Sequence, residues 1–339
     1  MNWKTIQLDL SDGQITTLKA QNARLLEHLE KGLPLEFKVL EDLNAQLSKI
    51  VNSNSDFIEV LEKINNSGEY CAVQLMHNDN EILNLPWSAA IDKFSGKALG
   101  IIRQLFLAKS LPRHSEARYE ANDEANGPKA PLPLKILIMI SSPEDTDHKS
   151  RLSYEDEEFR IFSAFEPLLQ SGQVEIDFTD DGSLEALERK LKKNKYHVLH
   201  FSGHGIFQNQ EGMLVLEDPL SLKTQLTRAE DFADTVNCNP DYKVPLVILS
   251  SCQTAQGGSE TALRGVTNQL LNKGLASVIA MGMSIMDHYA KIFSAHFFRQ
   301  LAERQNILSA FQSSIQHMYQ DEYNELVKAR QQPIPLQWM

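Results

Sequence analysis

The residues of this 339-residue chain best suited to covalent chemistry are His204 and Cys252, which close the apolar runs YHVLHFSGHG and VPLVILSSC. A thiol of ordinary acidity is only a few per cent thiolate at neutral pH, so a nucleophilic cysteine needs an imidazole or a favourable dipole beside it. His204 supplies the imidazole. Attack of a thiolate on an acyl carbon moves negative charge onto oxygen, and that charge has to be met by N–H donors already aimed at it. Gly205 lets a backbone N–H approach without a Cβ in the way, and the N–H of Cys252 is the second donor. The small residues Ser202, Gly203, Ser250 and Ser251 leave room for an extended peptide beside the pair. His197 and His200 fall inside the first run and are expected to pack or to bond backbone.

Both runs have the length and content of buried parallel strands, and open α/β sheets carry their sites at the carboxyl ends of such strands. Around them LKILIMIS, QVEIDFT, YHVLHFSG, VPLVILSS and ASVIAMG alternate with helical patterns. That alternation predicts an α/β fold with a mostly parallel sheet flanked by helices on both faces. GMLVLED, between the two reactive runs, reads as a short extra strand or a hairpin arm. Glu155 to Glu158 and Lys190 to Lys195 suit a solvated first and a solvated last helical turn.

Ahead of this region TLKAQNARLLEHLEKG and LEFKVLEDLNAQLSKIV have helical spacing, and GEYCAVQLM reads as a strand with Cys71 in a core. In NEILNLPWSAAID, Pro86 is placed to begin a helix and Trp87 to anchor it. PRHSEARYEANDEANGPKAPLP is polar, proline-bearing and almost free of large apolar residues, the composition of an exposed connector. The expected division is an N-terminal α/β half over 1–111, a linker or loop over 112–133 and a catalytic half over 134–339.

Composition removes several classes. Lys and Arg number 33 against 45 Asp and Glu, a net charge of −12, so a direct nucleic-acid partner is not expected. The opening MNWKTIQLDLSDG lacks an apolar signal core, and no run approaches the roughly 18 apolar residues of a membrane span. The expectation is a cytoplasmic protein with no membrane partner. Three widely spaced cysteines without a CxxC pair fit a reducing compartment. No strand is followed by GxGxxG or GxxxxGK[ST], QTAQGGSE lacks the phosphate-loop lysine, and the histidines offer no paired ligand spacing, so neither cofactor nor metal is expected.

HVLHFSGHG followed by VILSSCQTA resembles the signature of CHAT domains, caspase-like cysteine peptidases related to caspases, separases and gingipains. LNLPWSAA is similar to that family's LPWE phrase, with Ser88 where Glu is usual. ISSPEDT, GMLVLED and LLNKGLASVIAMGMSIMDHYA resemble the loop after the first catalytic strand, the strand between the two motifs, and the last strand with its Asp-bearing turn. The resemblance implies a caspase-like fold and cleavage of a partner protein, with Cys252 as nucleophile and His204 as general base and acid. In such enzymes the side chain before the cut dominates substrate choice. A Lys or Arg there would require a carboxylate, for which Glu144, Asp145 and Asp287 are candidates, and Asp145 and Asp287 the chosen pair. Each also suits a helix cap. The family further implies regulation by a sensor or repeat protein or by cleavage, and a role in bacterial defence or programmed cell death. Arg113, Arg118 and Lys129 make the linker either a processing site or a plain connector. The alternative from another class is a catalytically silent scaffold or sensor module.

Overall fold

A computed structural model describes residues 2–30, 37–109, 131–146, 154–208, 211–250, 259–275, 277–280 and 287–328. The chain divides into two compact units, Met1–Pro128 with Ile307–Met339, and Lys129–Asn306.

In the first unit, β1 (Asn2–Gln7) precedes three helices, α1 (Asp12–Glu30), α2 (Phe37–Ser53) and α3 (Ser55–Ser67). β2 (Cys71–Met76), the single turn α4 (Asn80–Leu83) and β3 (Leu105–Lys109) follow. The three strands form a parallel sheet in the order β1-β2-β3. Helix α3 starts where the Asn54 side chain accepts from the N–H groups of Asp56 and Phe57, and it ends at Gly68, whose left-handed φ of 67° a side chain would strain. Cys71 lies in the core, and burial pushes its thiol pKa up. Trp87 is 0 % exposed and opens a 3-10 turn, Trp87–Ala89, in place of a full helix. Its indole N–H donates to the Ile82 carbonyl at 2.8 Å, the partner a buried tryptophan requires.

The second unit begins with β4 (Leu134–Ile140), α5 (Tyr154–Gln170), β5 (Val174–Phe178), α6 (Leu184–Lys193) and β6 (Val198–Ser202). A run of short strands, β7 (His204–Gln208), β8 (Glu211–Glu217) and β9 (Thr224–Arg228), leads into α7 (Ala229–Val236). Then come β10 (Leu246–Ser250), α8 (Ser259–Asn272), β11 (Ser277–Ala280) and α9 (Asp287–Ala302). The central sheet is parallel throughout, in the order β11-β10-β6-β4-β5. Alternate residues along its strands face opposite layers. Leu137, Met139, Leu199, Phe201, Val247 and Leu249 share one core with Leu187 of α6, Phe232 of α7 and Leu270 of α8. On the other face His200 stacks on Phe298 of α9, which meets Phe165 of α5 with ring centroids 4.5 Å apart. The fold is therefore the expected α/β arrangement, a mostly parallel sheet between two helical layers.

GMLVLED forms the middle strand of a second, antiparallel sheet, β7-β8-β9, whose other two strands the sequence reading did not foresee. The final helix, α10 (Ile307–Lys328), belongs with the first unit, whereas the sequence division carried the catalytic half through 339. Its buried Gln312 amide finds acceptors in the carbonyls of Gly100 and Ile102, at 2.8 and 3.0 Å. Most of the linker expected at 112–133 lies outside the described residues, which resume at 131.

Candidate active site

The strands that carry the two reactive motifs, β6 and β10, are neighbours, and their parallel register ends with Ser202 opposite Ser250. His204 and Cys252 each follow that pair by two residues, so the motifs leave adjacent strands at the same level. Residues 251–258, Cys252 and Ser251 among them, lie outside the described residues. Backbone bonds lace this end of the sheet. Gly203 N–H donates to the Ser250 carbonyl at 3.3 Å, and Ser141 N–H donates to the Ser202 carbonyl at 2.9 Å.

His204 does not close a strand, as the sequence pattern suggested; it opens β7. The break between β6 and β7 falls at Gly203, where a Cβ would come within 2.6 Å of the Phe201 ring. From His204 onward the backbone pairs with β8, His204 opposite Val215 and Gly205 opposite Leu214. The imidazole is thus carried on a paired strand, and His204 is 6 % exposed. Gly205 is buried in the same ladder.

His197 and His200 bond and pack. The ring nitrogen Nδ1 of His197 accepts from Lys135 N–H at 2.9 Å, and burial lowers its pKa. His200 Nε2 lies 3.1 Å from Ser250 Oγ, which in turn donates to the Phe201 carbonyl at 3.1 Å. A hydroxyl has one proton, so Ser250 accepts from His200 and the imidazole carries its hydrogen on Nε2. This chain ties β6 to β10 two residues before Cys252.

Asp145 Oδ1 accepts from both the N–H and the hydroxyl of Thr224, each at 2.7 Å, and those bonds hold its pKa down. With the Glu144 N–H donating to the Leu222 carbonyl at 2.9 Å, the loop after β4 is tied to the turn entering β9. Asp287 is the first residue of α9, and its side chain lies outside the described residues.

Glu217, the last residue of β8, escaped the sequence reading as a site residue. It is 8 % exposed, with Oε1 accepting from Ser142 N–H at 2.8 Å and Oε2 from Gly182 N–H at 2.9 Å. The available signal was a carboxylate ending the apolar run GMLVL, since a buried charge has to be bonded. Among the described residues no group of three His, Cys, Asp or Glu is arranged to hold a metal ion, and no helix is long and apolar enough to cross a membrane.

No curated protein matches the chain. The family model described as the CHAT domain matches residues 64–338. That span takes in both reactive motifs, the Trp87 phrase and the whole second unit, and so the chain belongs to the CHAT-domain family.

Proposed function

We propose that this chain is a cysteine endopeptidase that cleaves a partner protein through Cys252 and His204. The observation that carries the reading is the β6–β10 register, which brings the two motifs off neighbouring strands at one level. In the proposed reaction the Cys252 thiolate attacks the scissile carbonyl carbon, and its electron pair displaces the carbonyl π pair onto oxygen. The N–H groups of Gly205 and Cys252 receive that oxyanion. Collapse of the intermediate breaks the C–N bond as His204 gives its proton to the departing amine, leaving a thioester. Water then attacks the thioester with His204 taking its proton; collapse breaks the C–S bond, releasing the acid, and the Cys252 sulfur recovers that proton from His204 to complete the cycle. Nothing in the sequence of steps requires a cofactor or a metal.

Burial on a paired strand suits His204 to this role, because it restricts the ring without loop motion. The proposed specificity carboxylates are Asp145, held ionised by Thr224, and Asp287 at the start of α9, for Lys or Arg before the cut. The proposed setting is the cytoplasm, with activity released by a sensor or repeat protein or by cleavage, in defence or programmed cell death. The test is cleavage of a diverse peptide library by wild type, Cys252→Ala and His204→Ala, with and without lysate to supply an activator. Cleavage lost in both variants supports the peptidase. Cleavage retained in Cys252→Ala refutes it, and silence throughout favours the scaffold alternative.

A further inference from the structure

We propose that Glu217 is a positioning residue for His204, the bolt of a clasp that seats the antiparallel sheet on the carboxyl edge of the parallel one. The inference rests on the peptidase reading, since it assigns Glu217 a task in setting the His204–Cys252 geometry.

His204 lies on β7, which pairs with β8, so whatever fixes β8 fixes the imidazole's strand. Four bonds fix β8 to the end of β4 and to the loop after β5. The Ser141 hydroxyl donates to the carbonyl of Val215, the residue directly opposite His204, at 2.9 Å. One oxygen of Glu217 accepts from Ser142 N–H and the other from Gly182 N–H, at 2.8 and 2.9 Å. The Glu217 N–H itself donates to the Gly182 carbonyl at 3.0 Å. A carboxylate presents one acceptor oxygen to each of two converging N–H donors from separate loops and has no proton to oppose either.

The packing leaves no slack. A Cβ on Gly182 would stand 2.7 Å from Ser141 Cα, 2.8 Å from the Ile140 carbonyl oxygen and 2.9 Å from Glu217 Cδ. Two of those three atoms are backbone, which does not yield as the end of a side chain does. The clasp is therefore closed from both sides, by a carboxylate that reaches in and by a glycine that makes room for it. It holds His204 by way of Val215, without any contact between Glu217 and the reacting atoms being required.

The test reads the imidazole through the thiol, using iodoacetamide on the full chain as a function of pH. Alkylation is followed on the tryptic peptide Val244–Arg264, which contains Cys252 and neither of the other two cysteines. Four variants are compared with wild type: His204→Ala, Glu217→Gln, Glu217→Asp and Gly182→Ala. Glu217→Gln replaces one acceptor oxygen with an NH₂ group facing an N–H donor, whereas Glu217→Asp keeps both acceptors on a side chain one methylene shorter. Wild type is expected to react about tenfold faster than His204→Ala at neutral pH, with an inflection below the ordinary thiol range. Glu217→Gln and Gly182→Ala should shift that pH profile toward His204→Ala while the chain still melts cooperatively, with Glu217→Asp in between. If Glu217→Gln does not fold, Gly182→Ala and Glu217→Asp decide. Wild-type profiles in the folded clasp variants, beside a shifted His204→Ala, overturn the clasp and leave the dyad standing. An unshifted His204→Ala overturns the dyad, and the clasp's role with it.

Discussion

Acidification should weaken the second unit through His200, by an amount set by its burial. The ring is enclosed between the parallel sheet and Phe298 of α9, its Nε2–H is committed to Ser250, and its buried Nδ1 has no hydrogen-bond partner among the described residues. Protonation would place a hydrogen on Nδ1 with nothing to receive it, and burial accordingly lowers the His200 pKa from 6.5 to about 4. The sign follows from linkage. Above about pH 6.5 the ring is neutral in both the folded and the unfolded chain, and the full stability is present. Below that, the unfolded chain binds a proton that the folded one refuses, so stability is lost as pH falls from about 6.5 to about 4 and then levels off. The interval is worth about 3 kcal/mol, at most about 1.4 kcal/mol per pH unit. Urea unfolding of wild type and His200→Leu from about pH 7.5 to about pH 4.5 measures it as the difference between the two curves. His197, Asp145 and Asp177, whose pKa values are also lowered, titrate in both proteins and cancel in that difference. The gap between the curves should change by about 2–3 kcal/mol across the range. A gap constant to within about 0.5 kcal/mol would refute a neutral, enclosed His200.

Three further substitutions follow from the packing. Ser250→Ala removes the acceptor for His200 Nε2–H and a donor to the Phe201 carbonyl, and should cost about 1–3 kcal/mol by thermal melting; replacing His200 by Leu in the same chain should recover part of that. Trp87→Ala empties a fully buried site and strands the Ile82 carbonyl, for a loss of about 3–5 kcal/mol by urea unfolding, with Trp87→Phe costing less. Asn54→Ala removes the cap on two N–H groups of α3 and should cost about 1 kcal/mol, read from the same transition as Trp87→Ala.

Some of this was legible in the residues alone. LVIL is an unbroken apolar run and VLHF one interrupted only by His200, which is how strands buried on both faces read, and they became the adjacent β10 and β6. Trp87 and Cys71 were placed in a core by their types and neighbours, and both are there. The start of β7 was not legible, because His204 follows β6 with only Gly203 between them and the two strands share one apolar stretch. β1 is short, and Lys4 and Thr5 dilute its alternation; its parallel partner lies more than sixty residues away, at Cys71 to Met76. Glu217 looked like any residue closing a strand, since its two partners come from loops 35 and 75 positions distant in the chain. The return of α10 to the first unit depends on Gln312 meeting carbonyls more than two hundred residues upstream, which no local pattern encodes.

The most direct test of the central claim is the appearance of new protein N-termini in a bacterial lysate incubated with wild type and, in parallel, with Cys252→Ala. The His204–Cys252 account predicts a set of cuts made by wild type alone, sharing one residue type before the cut and absent with His204→Ala. The same N-termini in the wild-type and Cys252→Ala samples, or no cut dependent on either residue in a lysate that contains the activator, would contradict it.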